Sequence, residues 1–423
     1  MFSYNPENRM AENIQKDLKH NAVVNIADGT FFGFGLGFSS FATILPLFVS
    51  TMTNSAVLIG LIPAIHNMGW QLPQLFTARK ISRLPQFKPY VILMTIQERV
   101  PFLGLALVAF LLPTIGKTAA LIATFIILIW QGLGGGLTAN AWQNMISKII
   151  PTDVRATFFG VQSAGSNLFA SVGAIIAGYL LEKIATPSNF MVCFLITSGL
   201  MVISYYFLAL TREIVTPAPE VEDSNADFWR KVRVILEKDI PFRWFVISRN
   251  AMQFGMMAQA FYIIYAIRVH HLSLSAAGIM TGLLFMTQVA ANPLLGWISD
   301  KWSRTAVLEG GALAIGAASL LAWLAPNAGW FYGVIILSGI ASTAFWTIGI
   351  AISLEFGSDI ERPTYVGLSN TLISPSTIIA PLIGGWLADA SGYSATFITA
   401  SLFAVVCAIT MHIFVRDPIK NSA

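Results

Sequence analysis

The chain has 423 residues, 55% of them hydrophobic and only 11% charged, with a formal net charge of +4 and a mean hydropathy of +0.68. A water-soluble domain cannot bury that much apolar surface, which excludes soluble enzymes and soluble binding modules as classes. Cys193 and Cys407 both lie in apolar stretches, where they read as small packing residues, with no disulfide and no metal site expected.

In chain order, residues 1–20 are polar and mildly amphipathic. They lack the basic start, apolar middle and small-residue cleavage site of a signal peptide, so the segment is expected to be retained. A bilayer crossing needs about 20 apolar residues at a helical rise of about 1.5 Å each. Segments of that kind occur near 22–49, 55–78, 90–112, 117–146, 158–182 and 189–210, then near 242–267, 274–298, 305–325, 329–354, 365–388 and 394–415. Lipid cannot satisfy an open backbone, and the short alternating strands of a membrane barrel are missing, so all twelve are predicted helices. The fold class is therefore an all-α membrane protein with twelve transmembrane helices.

Residues 211–241 carry Pro217, Pro219 and the acidic run from Glu220 to Asp227, a composition unsuited to a packed core. They divide the chain into a first half (1–210), a cytoplasmic linker (211–241) and a second half (242–423). The linker ends in a stretch that places Phe228, Val232, Ile235 and Leu236 on one helical face and bases on the other. That pattern predicts an interfacial helix on the inner leaflet, with a partner-binding helix as the alternative.

Charge sorting sets the orientation. Of the 25 Lys and Arg residues, Lys117, Lys183 and Arg268 fall in outer loops and Arg99 and Arg249 within spans; the other 20 fall on the side that holds the amino terminus. Both termini are thus expected in the cytoplasm, in a multi-pass protein of the plasma membrane. The positive charge reflects topology and gives no reason to expect a nucleic-acid partner.

The chain also repeats itself. Arg155 and Gly160 recur as Arg362 and Gly367, Ala177-Gly178 as Gly384-Gly385, and Glu182 as Asp389, all at an offset of 207. Ser55, Ala56 and Pro73 match Ser275, Ala276 and Pro293 at 220, while Asp28 and Phe32-Gly33 match Asn250 and Phe254-Gly255 at 222. Six helices duplicated into twelve make a parallel repeat.

Between the eighth and ninth spans stand Gly296, Asp300, Lys301 and Arg304, an acidic and basic cluster wedged between two apolar segments. This cluster resembles the signature loop of the major facilitator superfamily, and with the repeat the resemblance covers essentially the whole chain. It implies two pseudo-symmetric six-helix bundles that alternate access to a central cavity. It also implies a cytoplasmic gate in which Asp300 meets Arg155 at the start of the fifth span. The first-half copy departs from the pattern: aligned by Pro73 on Pro293, the glycine becomes Phe76 and the acid becomes Lys80, so the matching gate against Arg362 is expected to be weak or differently built.

Four ionisable residues fall inside apolar spans, each costing a few kcal/mol unless paired or wetted: Asp28, Glu98, Arg99 and Arg249. Asp28 is the candidate for proton coupling. Glu98 and Arg99 point about 100° apart as helical neighbours and each needs another partner, Asp28 being one for Arg99. Arg249 either faces the cavity or snorkels to the inner surface.

Amides and aromatic rings recur on the spans expected to line the cavity. The first half offers Asn25, Phe32, His66, Trp70, Asn140, Gln143, Gln162 and Asn167; the second offers Asn250, Gln253, Tyr262, Gln288, Asn292, Trp346 and Asn370. Amides both donate and accept, and rings stack on apolar faces, which suits a neutral, hydroxyl-rich or amphipathic ligand. His66 reads first as a satisfied core histidine.

Two stripes of small residues, Gly29/Gly33/Gly37 and Ser166/Ala170/Ala174/Gly178, let helix backbones approach. The run Gly132, Gly134, Gly135, Gly136 reads as helix packing, since no strand precedes it. No nucleophile and base pair, phosphate loop or metal-ligand spacing stands out, so neither an enzyme nor a cofactor is expected.

These observations predict a monomeric secondary transporter of a small organic solute, coupled to protons through Asp28, with uptake of a polar solute slightly preferred. Efflux of amphipathic drug-like compounds, suggested by the Met-rich stretch Met252–Met257, lipid or glycolipid movement, and a non-transporting receptor are the alternatives.

Overall fold

The computed structural model describes residues 6–81, 84–215, 225–353, 356 and 362–415, and every regular element among them is helical. The first pass begins earlier than hydropathy indicates. Helix α1 (Pro6–Phe38) takes in the polar segment before residue 22, and α2 (Ile44–Ser50) completes the crossing. α3 (Ala56–Ile81) forms the second pass.

The third pass is split. α4 (Lys88–Arg99) ends two residues before Pro101, whose ring nitrogen has no hydrogen to donate, and α5 (Pro101–Ile149) follows. Within α5, Gly116 adopts φ 78°, ψ 164°, a region open chiefly to glycine. The chain folds back there, which brings Gly104 against Ile127. α5 therefore holds the end of the third pass and all of the fourth. α6 (Thr152–Lys183) and α7 (Ser188–Ala209) close the first half.

α8 (Asn225–Lys238) lies between the halves. The seventh pass runs through α9 (Ile240–Met256), a 3₁₀ turn at Gln259–Phe261 and α10 (Tyr262–His270). α11 (Leu274–Lys301) and α12 (Arg304–Leu324) follow, each capped by a serine: Ser273 accepts from the Ala276 amide and Ser303 from the Ala306 amide, both at 3.1 Å. The tenth pass is α13 (Trp330–Thr343), a π-helical turn at Ala344–Ile348 and α14 (Gly349–Ser353). α15 (Arg362–Ser391) and α16 (Tyr393–Phe414) complete the chain.

Among the described residues, eight segments are long and apolar enough to cross a membrane by themselves, and one of them, Lys88–Ile149, contains two passes. The remaining three passes are α1–α2, α3 and α9–α10. α1–α2 and α3 fall short because they carry the buried or cavity-facing polar groups Asn25, Asp28 and His66, and α9–α10 because the 3₁₀ turn divides it into helices of 17 and 9 residues. Twelve passes result, six on each side of α8.

The two small-residue stripes face one another. A Cβ on Gly33 would lie 2.1 Å from Ser166 Oγ and 2.5 Å from its carbonyl oxygen, and one on Gly37 would lie 2.3 Å from the Ala170 carbonyl oxygen. α1 and α6 thus touch backbone to backbone. Gly33→Val is expected to force them apart and cost about 1–3 kcal/mol, the usual range for overpacking. A fall in the melting temperature of the purified protein checks it. Gly132, Gly134 and Gly136 serve the same purpose in α5, against Gly69 and the backbone at Gln97.

The halves meet along α6 with α11 and along α3 with α15. At the end of the bundle away from α8, two carboxylates span the join. Asp389 at the end of α15 accepts from the Ala56 amide at 2.6 Å, the Val57 amide at 3.2 Å and the Ser55 hydroxyl at 3.0 Å. Glu182 at the end of α6 accepts from the Ser275 amide at 3.0 Å. Each carboxylate sits where the opposing helix presents unbonded N–H groups. Beside them, a Cβ on Gly278 would lie 2.4 Å from Gly178 Cα, and one on Gly385 would lie 2.4 Å from Val57 Cα. Glu182 and Asp389 are repeat-related, as are Ser55 and Ser275, so one contact is made twice.

At the opposite end, Glu213 accepts from the Phe87 and Lys88 amides and from Lys148 Nζ at 3.0 Å, which ties the start of the linker to α4 and α5.

Candidate functional site

A cavity of about 310 Å³ opens in the first half between α1, α3, α4, α5 and α6. Its wall holds three ionisable residues, and their separation is unequal. Arg99 Nη2 donates to Asp28 Oδ1 at 2.9 Å and to Ser204 Oγ at 3.0 Å, and its Nη1 donates to Thr95 Oγ1. Ser204 Oγ in turn donates to Asp28 Oδ1 at 2.6 Å. The guanidinium also lies over the Phe32 ring at 5.1 Å, a favourable place for a cation. Glu98 Oε2 is 3.8 Å from Arg99 Nη1, beyond hydrogen-bonding reach.

The local sequence explains this layout. Glu98 and Arg99 are the last residues of α4, stopped by Pro101, and adjacent helical positions diverge. Arg99 turns inward to α1 and α7; Glu98 turns toward α5, where Gly134 and Gly135 leave space. A Cβ on Gly135 would lie 3.0 Å from Glu98 Oε1 and 3.5 Å from Trp70 Cδ1.

A second cavity of about 290 Å³ lies between the halves. Phe41, His66 and Asn67 come from the first half, and Gln253, Met256, Gln288 and Trp346 from the second. His66 Nδ1 is 3.0 Å from Gln131 Oε1, and its ring stacks on Phe41 with centroids 3.8 Å apart. His66 and Trp70 are one turn apart on α3, so the two cavities share a helix.

The structure thus places Asp28, Phe32, Trp70, Glu98, Arg99, Gln143, Gln162 and Asn167 around the first cavity, and His66, Gln253, Gln288 and Trp346 around the second. Six further candidates lie outside both linings. Asn25 is fully buried, with Nδ2 donating to Thr211 Oγ1 at 3.0 Å and its carbonyl accepting from Gln162 Nε2 at 2.8 Å. Asn140 donates to the Gln74 carbonyl, and Asn250 donates to the Val246 carbonyl and accepts from Ser376. The Tyr262 hydroxyl is 2.7 Å from Ser319 Oγ, and Asn292 accepts from Thr347 at 2.7 Å. Asn370 is half-buried on α15.

Arg249 does not snorkel. It is 1% exposed, donates to Ser369 Oγ at 3.1 Å and lies over the Phe245 and Phe345 rings. In the signature cluster, Gly296 is helical with open space beside it, Lys301 Nζ stands 4.8 Å over the Trp297 ring, and Arg304 opens α12. The expected contact of Asp300 with Arg155, and the gate at Arg362, fall on side chains outside the described residues.

Sequence reasoning missed Thr95 and Ser204, which hold Arg99 and Asp28, and the cavity residues Trp142 and Phe41. Trp142 could have been found beside Gln143; the two hydroxyls carry no pattern that sets them apart from others on apolar helices.

The sequence profile of the Major Facilitator Superfamily matches residues 96–266 and 244–423. The chain belongs to the Major Facilitator Superfamily. Multidrug resistance protein 1 of Bacillus subtilis (strain 168) is 30% identical over 152 residues, covering 36% of this chain and 39% of that protein, so the chain spans about two fifths of that relative. The Staphyloferrin B transporter of Staphylococcus aureus (strain NCTC 8325 / PS 47) is 22% identical over 323 residues, covering 74% of this chain and 75% of the other. Among solved superfamily folds, the nucleoside transporter NupG superposes with a TM-score of 0.74 at 12% identity, covering 94% of this chain and all of that one. A likeness at that identity concerns the fold.

Proposed function

We propose that the protein is a proton-coupled secondary transporter that moves a small amphipathic organic solute by rocking its two halves about the central cavities. The Asp28–Arg99 pair carries this reading: a carboxylate buried on a cavity wall and held by a guanidinium can accept a proton only by releasing that guanidinium, which links protonation to rearrangement. The doubled carboxylate contacts at the end away from α8 support a closed outer side and an open inner one, with both termini in the cytoplasm and α8 on the inner leaflet. Aromatic and methionine side chains among the lining amides, together with the similarity to a multidrug resistance protein, favour export. Uptake of a polar solute is the second reading, favoured by Gln143, Gln162 and Asn167 on the first cavity.

A thermal-shift screen against sugars, nucleosides, amino acids, lipophilic cations and lipids identifies the solute to radiolabel. In proteoliposomes, Asp28→Asn is expected to abolish flux driven by an imposed proton gradient while counterflow at saturating solute persists. Proton-driven flux that survives in a folded Asp28→Asn protein rules out coupling through Asp28.

A further inference from the structure

Arg249, near the middle of α9, is the second buried guanidinium of the protein, and its surroundings differ from those of Arg99. It is 1% exposed; Nη1 donates to Ser369 Oγ at 3.1 Å, and the Phe245 and Phe345 rings lie against it. Nε and Nη2 have no hydrogen-bond partner among the described residues. A guanidinium stays charged in proteins, and a charge taken out of water needs a counter-charge. Arg99 has Asp28 for that purpose. The repeat-related position in the second half is Asn250, whose amide is spent on the Val246 carbonyl and Ser376. The acid that caps α9, Asp239, accepts from the Phe242 amide and the Tyr365 hydroxyl, about 15 Å from Arg249 by helix rise. Among the described residues, the groups that meet Arg249 are thus neutral.

The side of the guanidinium left without a partner faces Gly349. A Cβ on Gly349 would lie 3.8 Å from Nε and 3.9 Å from Nη2, ordinary van der Waals distances, so the backbone stands back from these two donors by the width of a methyl group. The π-helical turn creates this setting: the Gly349 amide donates to the Ala344 carbonyl five residues back, which widens the helix at that level. Phe345 of the same turn stands between the guanidinium and the second cavity, whose wall it forms with Gln253 and Trp346.

We propose that Arg249 binds a monovalent inorganic anion of halide size, chloride, at its Nε and Nη2 donors, and that the ion enters from the second cavity past Phe345. The site is separate from the Asp28–Arg99 pair and does not depend on proton coupling. Two charge-assisted bonds hold the ion, and the surrounding phenylalanine rings strengthen the attraction by keeping the local dielectric low. The methyl-sized space beside Gly349 selects a single-atom anion, because a carboxylate brings further atoms that would have to displace Phe345. With the ion bound, the charge of Arg249 is neutralised and the π turn is held in place. An ion that is not itself cargo then sets the shape of the second cavity.

The test uses the full-length protein purified in detergent, exchanged into sodium gluconate and titrated with sodium chloride at constant ionic strength, with the melting temperature as the readout. Wild type is expected to melt about 2 °C or more higher in chloride, with saturation. Bromide should replace chloride, and acetate should not. Gly349→Ala keeps the charge of Arg249 and sets a methyl group against Nε and Nη2. It should melt no lower than wild type in gluconate, since alanine is the better helix former, yet lose the chloride shift. Arg249→Gln should lose it as well. Equal melting of wild type in chloride and gluconate overturns the site. A chloride shift of wild-type size in either variant also overturns it, because the ion then binds elsewhere. Stabilisation by acetate but by neither halide overturns the inorganic anion and assigns Arg249 to a carboxylate of the solute.

Discussion

Arg99→Ala is expected to be the most destabilising single substitution at the site, lowering the unfolding free energy by about 3–5 kcal/mol, the cost of breaking a buried charge pair from one side. The loss has three parts. Asp28 is left with only Ser204 as a donor, Glu98 faces it across the cavity wall with no intervening cation, and the Phe32 face loses its guanidinium. Arg99→Lys keeps the charge but lacks the fork that reaches Asp28, Ser204 and Thr95 together, so an intermediate loss is expected. Pairing Arg99→Gln with Asp28→Asn should recover part of the stability, because the second change removes the carboxylate stranded by the first. Thermal unfolding of the four proteins gives the coupling energy. Strictly additive losses would mean that the two side chains do not act as a pair.

Gly278→Val is expected to open the end of the bundle away from α8. Its new side chain would begin within 2.4 Å of Gly178 Cα, and backbone in a packed helix cannot yield that distance without the halves separating. A shift of about 1.4 kcal/mol in the equilibrium changes the open population about tenfold. The protein is well suited to the measurement, because Cys193 and Cys407 are both buried and free. A single Ala42→Cys on the wall of the second cavity can then be labelled with an impermeant maleimide added outside. Labelling should be slow in the Ala42→Cys protein and about tenfold faster when Gly278→Val is added. Glu182→Gln and Asp389→Asn should act in the same direction with smaller effect, each removing a charge at a helix start worth about 0.3–1 kcal/mol. Labelling indifferent to all three changes would show that this contact does not govern access.

Much of this architecture can be read from residue types and spacing. Hydropathy locates the twelve passes, and the stripes Gly29/Gly33/Gly37 and Ser166/Ala170/Ala174 identify two helix faces that the structure brings together. The offsets of 207 and 220 single out Glu182, Asp389, Ser55 and Ser275, although nothing in the offsets says that these four touch one another across the join. Charge inside an apolar span is a strong signal because its cost is large, and it leads directly to Asp28 and Arg99. Hydroxyls and amides give a much weaker one. Ser204 resembles any other serine on an apolar helix, and Asn25, which looks like a cavity residue, bonds to Thr211. The turn at Gly116 is legible in place, since it falls in the gap between the spans at 90–112 and 117–146, while its φ of 78° is a property of the folded backbone. Arg249 shows the limit from the other side: hydropathy marks it as costly, and only the fold reveals that two phenylalanine rings and a serine accommodate it.

The position of Asp28 in the first half is occupied by Asn250 in the second, which spends its amide on the Val246 carbonyl and Ser376. The duplicated copies have thus kept a common scaffold and parted in their ionic equipment. On the transport reading proposed above, changes in the second copy's share of the cavity wall would alter the cargo while Asp28, the proposed coupling residue, stays untouched in the first. Divergence between the halves would, on that reading, let specificity change without relearning how to be driven.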